Sequence, residues 1–321
     1  MSTRNERLKI IILGSQAIGL LVTLICSFIG GLYIFKGEWL YAVPISIIFV
    51  VSIYYLVIFF CREKENRRKK GYPPIFFYLF GVYAILSVVL SFFVLHFYNV
   101  EMNEKQEIQS IGNNKINGVK LIYSSYDLQY TDFLSKLEAD INSKITSYNN
   151  YPRTRISIST DLQSAPYNLD LASINSIAGS TSPSNAVKVN IDFRRQGFLN
   201  NKESVLTNEN KLNLSSYEEF LSEQNNIIQS WDRFNIGKSL NELNERINKD
   251  YVGLNNYLID KTNSTYKIDF EIKNYINETL MNKPLDLAAK HFGVGTMLVI
   301  LLFQILILLP YFLTKGKMFG F

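Results

Sequence analysis

The chain reads as an α-helical membrane protein with four transmembrane helices and one extracytoplasmic α+β domain. Three observations predict this. Hydrophobic residues make up 47% of 321 positions, yet they concentrate in four runs. The stretch between Glu101 and Lys290 is polar and Asn-rich, with 21 Lys/Arg against 24 Asp/Glu. The stretch Cys61 to Lys70, lying between two apolar runs, holds six basic side chains. Basic residues in short loops stay on the cytoplasmic side, so this stretch orients the chain.

The first run, about 10–35, has no charge and follows Arg4, Arg7 and Lys9. It is longer than a signal-peptide core and lacks a small-residue cleavage site, so it reads as a retained helix. Within it Ser15, Gly19, Thr23, Ser27 and Gly31 recur every fourth residue. Small residues at that spacing let a second helix approach closely where lipid removes the hydrophobic drive between helices. The second span is about 40–60, with Pro44 in its first turns, where the missing donor costs little. The basic cytoplasmic loop 61–71 follows, and Arg62, Lys64, Arg67, Arg68, Lys69 and Lys70 are its topology anchors. A third span covers about 75–98. The last segment, 291–321, carries the fourth span, followed by Lys315 and Lys317. Residues 1–98 and 291–321 are therefore membrane segments, and 101–290 is a domain of its own.

Counting Lys and Arg gives eleven on one side of these spans and one, Lys36, in the only short loop on the other. That asymmetry places both termini in the cytoplasm and 101–290 outside the cytoplasmic (inner) membrane. The net charge of +5 thus arises beside the membrane, where it meets anionic lipid headgroups. The exported segment is slightly acidic, and no nucleic-acid partner is expected.

Alternation of apolar and polar residues predicts four half-buried strands: Val119–Tyr123, Ile156–Ile158, Val187–Phe193 and Tyr266–Ile272. Leu134, Leu137, Ile141, Ile145 and Tyr148 fall on one helical face. Ser215 and Ser216 each precede a Glu by three residues, the capping-box pattern, which predicts a helix running to about Phe234. Ser239 with Glu242 repeats the pattern, and Leu240, Leu243, Ile247, Tyr251, Leu254 and Leu258 mark a stripe beyond it. The turn Asn235–Lys238 would fold the two helices into a hairpin. The order β-α-β-β-α-α-β matches the split βαβ plan of a ferredoxin-like sandwich, with the helical pair as one crossover. Ser164–Ser184, rich in Ser, Gly and Pro, reads as a loop.

Cys26 and Cys61 lie in or beside apolar runs, and the exported segment has none. A disulfide-free domain of this size must be stable through its own core, which fits a bacterial envelope. Three spans, a large outer segment and a fourth span are also the order of the tetraspanins. That family's outer loop carries a Cys-Cys-Gly motif and disulfides, so the resemblance stops at span order.

His96 and His291 reach the same depth at the outer ends of the third and fourth spans and bracket the domain. They are a candidate pH-sensing or metal-binding pair; interfacial packing of two amphipathic rings is the plainer reading. Gln304, midway along the fourth span, is a candidate interhelical hydrogen-bonding group, for example to the Ser/Thr stripe of the first span. No Asp, Glu, Lys or Arg lies in the central part of any span, so a pump-like ion pathway lacks its usual residues. No nucleophile elbow, phosphate loop or metal-ligand cluster is present, so neither catalysis nor a cofactor is expected.

The function this architecture predicts is a multipass inner-membrane protein whose outer domain binds or organises an envelope protein, as a sensor, an assembly factor or an immunity-type protein. Its expected partners are the lipid bilayer, that envelope protein and further copies of itself as a homo-oligomer. The alternative is a channel or transporter subunit acting as an oligomer.

Overall fold

The computed structural model describes residues 2–70, 74–207, 214–276 and 279–313, with side chains described for 10–64, 74–207, 217–276 and 279–313. The elements in order are α1 (Ser2–Ile34), α2 (Trp39–Lys70), α3 (Pro74–Asn99), a π-helical turn (Val100–Glu104), α4 (Lys105–Asn150), α5 (Arg155–Gln163), α6 (Leu171–Ala178), α7 (Pro183–Thr207), α8 (Leu214–Gln229), α9 (Ile236–Lys261), α10 (Pro284–Lys290) and α11 (Val294–Leu313), with short 3-10 turns at Pro152–Thr154, Ile272–Asn274 and Leu280–Asn282.

Among the described residues, four helices are long and apolar enough to cross a membrane: α1, α2, the α3–α4 continuum and α11. Lipid offers no partner to a backbone N–H or C=O, so an apolar run must satisfy its own backbone as a helix. The chain is a multipass membrane protein by this criterion. The third of these helices is unbroken from Pro74 to Asn150, 77 residues, and its apolar part is the 75–98 stretch. The basic segment is helical as well, since α2 continues to Lys70, in place of the loop expected there.

The α+β expectation is overturned. The structure is 86% helical, and no strand forms among the described residues. Val119–Tyr123 lies in α4, Ile156–Ile158 in α5 and Val187–Phe193 in α7. The physical reason is visible in α7, where Val187 and Ile191 are fully buried while Val189 and Phe193 are 70% and 81% exposed. Residues i and i+4 share a helical face just as they share a strand face, so a short alternation fits both periods. Tyr266–Ile272 comes nearest to the expectation. Residues 266–271 are non-helical, with Ile268 buried and Lys267, Asp269 and Glu271 exposed, but Ile272 opens a 3-10 turn and no strand among the described residues pairs with the segment. The N–H groups of Ile268 and Asp269 bond instead to Asn255 Oδ1 and Ser125 Oγ, at 2.8 and 3.2 Å. With no sheet, the split βαβ plan falls.

Other boundaries moved for local reasons. α8 stops at Gln229, five residues short of Phe234, because Trp231 takes a positive φ of 55° that a helix does not accommodate. The side chains of Ser215 and Ser216 lie outside the described residues. Ser239 falls inside α9, which begins at Ile236, and its hydroxyl is buried without a partner, so it caps nothing. Inside the expected Ser164–Ser184 loop, α6 forms, capped by Asp170 accepting from Ser173 N–H at 2.7 Å and burying Ile174 and Ile177. The α4 stripe is as expected: Leu134, Leu137, Ile141 and Ile145 are buried.

The chain divides into two compact units. One comprises residues 1–111, 227–241 and 278–321; the other comprises 112–226 and 242–277. In the first, α1 packs on α2, α3 and α11. One apolar cluster joins Val50, Ile53, Val57, Phe60, Phe76, Tyr83, Leu90 and Ile307. A second joins Ile29, Tyr33, Val100, Ile108, Trp231, Ile236, Leu240, Met281 and Leu287. In the other unit, Phe198 of α7 is the aromatic centre, stacked on Tyr130 at 5.3 Å and edge-on to Tyr257 at 5.5 Å.

Candidate functional site: a carboxylate clasp beyond the third span

The π-helical turn Val100–Glu104 follows directly on the third span and carries two nearly buried carboxylates. π-turns widen a helix by one residue per turn and recur at functional positions. Here the turn aims Glu101 and Glu104 at different partners within the first unit.

Glu101 Oε1 accepts from Tyr33 Oη at the end of α1, from Trp231 Nε1 at 2.9 Å and from Arg233 Nε at 2.8 Å. Arg233 Nη2 reaches Oε2 at 3.0 Å, completing a bidentate fork. Burial raises the affinity of Glu101 for its proton, but Arg233, Tyr33 and Trp231 outweigh it and hold the carboxyl below its ordinary value. Hydrogen bonding to the carboxylate in turn raises the Arg233 guanidinium. Glu104 is gripped from the other side of the sequence: Lys290 Nζ lies 2.8 Å from Oε1, and His291 Nε2 contacts the same oxygen. Its carboxyl is also held low, burial being outweighed by Lys290 and His291. Two neighbouring carboxylates thus pin the end of α1, the 231–233 turn and the approach to α11 onto the start of α4. Nothing in the sequence pattern gathers Tyr33, Glu101, Trp231 and Arg233. The only hint is that Glu101 is the first acidic residue after the third span.

The two histidines have different hydrogen-bond partners. His96 is buried, with Nε2 2.9 Å from the Met281 carbonyl and Nδ1 unpartnered, while His291 belongs to the clasp. Among the described residues, no three His, Cys, Asp or Glu side chains gather to hold a metal.

Gln304 bonds across helices, but to α3 instead of α1: Tyr83 Oη donates to its Oε1 at 3.1 Å, and its Nε2 donates to Ser91 Oγ at 2.8 Å. Of the small-residue stripe, Thr23 and Ser27 are buried and Ser15 is partly so. A Cβ on Gly19 would sit 3.4 Å from Leu306 Cβ of α11, and one on Gly31 would sit 3.3 Å from Ala42 Cβ of α2. The tightest approach lies beside the stripe, at Gly30, where a Cβ would fall 2.2 Å from the Phe93 carbonyl oxygen of α3. Of the anchors, Lys64 bonds the Tyr311 carbonyl and covers the Tyr311 ring at 4.6 Å, and Arg62 is exposed. The side chains of Arg67, Arg68, Lys69 and Lys70 lie outside the described residues, as do Lys315 and Lys317.

The second unit holds a buried polar network of its own. Arg246 Nε lies 2.7 Å from Asp250 Oδ2, which also accepts from Tyr123 Oη at 2.8 Å. Burial pushes the Asp250 carboxyl up despite Arg246 beside it. Lys115, 1% exposed, donates to Asn244 Oδ1 at 2.5 Å and to the Tyr275 carbonyl at 2.8 Å. Burial pushes its ammonium down to about 8.

No family model, curated protein or solved structure matches this chain, so its chemistry is read from its own residues.

Proposed function

We propose that this is a multipass inner-membrane protein with both termini in the cytoplasm, presenting residues 101–290 on the outer side to bind or organise an envelope protein, as a sensor, assembly factor or immunity-type protein. The orientation rests on the eleven-to-one distribution of Lys and Arg.

The observation that carries the binding role is on α7. Val189 and Phe193 stand one helical turn apart, 70% and 81% exposed, with Gln196 and Asn200 continuing the same face. Isolated apolar residues on a surface are ordinary, but two large ones at i, i+4 form the anchor pattern by which a helix docks into a partner's groove. Lys188 and the Asp192–Arg195 pair, at 2.6 Å, rim the anchors with charge, as the polar rim of an interface does. The spans lack the internal charges of a transporter, which favours this reading over conduction.

A photo-crosslinking residue at position 193 tests it, with position 219, exposed on α8, as control. The proposal predicts an adduct of one defined mass from position 193, lost when Val189→Asp is added, and none from position 219. Equal patterns from both positions, or adducts indifferent to Val189→Asp, would remove α7 as the docking face.

A further inference from the structure

α1 and α11 cross at Gly19 and Leu306, and they run antiparallel: Ile29, later in α1, clusters with Met281 and Leu287, which precede α11. Pro310 lies inside α11, four residues after Leu306. Proline has no N–H, so the Leu306 carbonyl lacks the donor that a regular helix would supply from position 310. That carbonyl lies against α1, its carbon and oxygen both 3.7 Å from where a Gly19 Cβ would sit. Helix carbonyls point toward the helix C-terminus, so in α11 it points to the level of the α1 residues preceding Gly19.

Three residues before Gly19, on the same face of α1, is Gln16. It is 3% exposed, and its Nε2 has no hydrogen-bond partner. The other polar side chains of that face are spent on their own helix: Ser15 Oγ on the Ile12 carbonyl, Thr23 Oγ1 on the Gly19 carbonyl and Ser27 Oγ on the Leu24 carbonyl. Gln304 is committed to Tyr83 and Ser91. One helix therefore brings an acceptor stripped of its donor, and its neighbour brings a buried donor stripped of its acceptor, a turn apart and in the right order.

We propose that the Gln16 carboxamide, whose Nε2 stands unpartnered in the structure, turns to the Leu306 carbonyl as its replacement donor, a polar latch across α1 and α11 that makes Pro310 tolerable within the membrane. In lipid, neither group has water to turn to, so closing the latch satisfies both. The neighbours then supply what the proline removed, as they do at other proline-containing spans. The latch also fixes which face of α11 turns to α1 below the crossing.

A double-mutant cycle on the full chain in detergent tests this, using Gln16→Met, which keeps length and removes the amide, and Pro310→Ala, which restores the N–H at position 310. Interhelical bonds in membranes couple modestly, so Gln16→Met should lower the folded-to-unfolded ratio about threefold with Pro310 present. In the Pro310→Ala background, the carbonyl has its own donor, and Gln16→Met should change the ratio little. Should Gln16→Met yield too little folded protein to melt, the yield of monodisperse protein is the readout, and Pro310→Ala should restore it. Equal effects of Gln16→Met in the two backgrounds, or no rescue of yield, would overturn the latch.

Discussion

Gly30→Ala should be among the most damaging conservative changes in the membrane part of this chain. The added Cβ would fall 2.2 Å from the Phe93 carbonyl oxygen and 3.1 Å from its carbon. Both are backbone atoms, so no side-chain rotation relieves the clash. α1 and α3 would have to part by roughly 1 Å, a tenth of a usual interaxial distance, and every contact along the crossing would loosen with them. Overpacking of this kind costs up to about 3 kcal/mol. Replacing a helical glycine by alanine returns about 1 kcal/mol of backbone propensity. The net is about 2 kcal/mol, a roughly thirtyfold fall in the folded-to-unfolded ratio. Gly81→Ala is the matched control, since a Cβ there meets nothing within 4 Å. Thermal melts of both variants in the same detergent should separate clearly, Gly30→Ala falling well below the parent and Gly81→Ala matching or exceeding it. If the two melt together, the close α1–α3 contact is not part of the native packing.

Two further predictions concern pH. Glu101 and Glu104 sit below the ordinary glutamate value of 4.5 in the folded chain, so their stabilisation is complete above that pH and is lost as pH falls through the lowered values. A melting midpoint that drops on acidification below pH 4.5 in the parent should drop less steeply in a Glu101→Gln, Glu104→Gln variant; parallel profiles would leave the clasp without a stabilising role. Lys115 works at the other end: folded, it releases its proton near 8, while the unfolded chain holds it to 10.5. The unfolded state then binds more protons, so this group contributes a rise in stability from pH 8 upward, which Lys115→Met should abolish; a rise unchanged in the variant would show that Lys115 is not desolvated.

The spans were legible because lipid imposes one rule on a long uncharged run, whatever its neighbours. The α4 stripe from Leu134 to Ile145 was legible for a related reason, as its apolar spacing repeats long enough to establish a period of about 3.6. The strand assignments failed where patterns were short. Val187, Val189, Ile191 and Phe193 make only two repeats of a strand, and the same residues place Val187 and Ile191 on one buried helical face. The exposure of Val189 and Phe193 is what misled, since apolar residues on the outside of a helix mimic the second half of an alternation. The site was less legible than the fold. Gln304 signalled a bond across helices by its position, but which helix receives it depends on packing. Glu101, Tyr33, Trp231 and Arg233 come from three distant segments, and no spacing rule joins them. Gly30 hides next to a regular stripe, although it lies against a neighbouring backbone carbonyl.

The most direct test of the account is the side of the membrane on which each segment lies. In a chain with Cys26→Ser and Cys61→Ser, single cysteines at Thr181→Cys and at Asn66→Cys can be challenged with a membrane-impermeant maleimide in intact cells. Position 181 should be labelled in intact cells and position 66 only after permeabilisation. Labelling of position 66 with protection of position 181 would invert the topology and contradict the proposed function at its root.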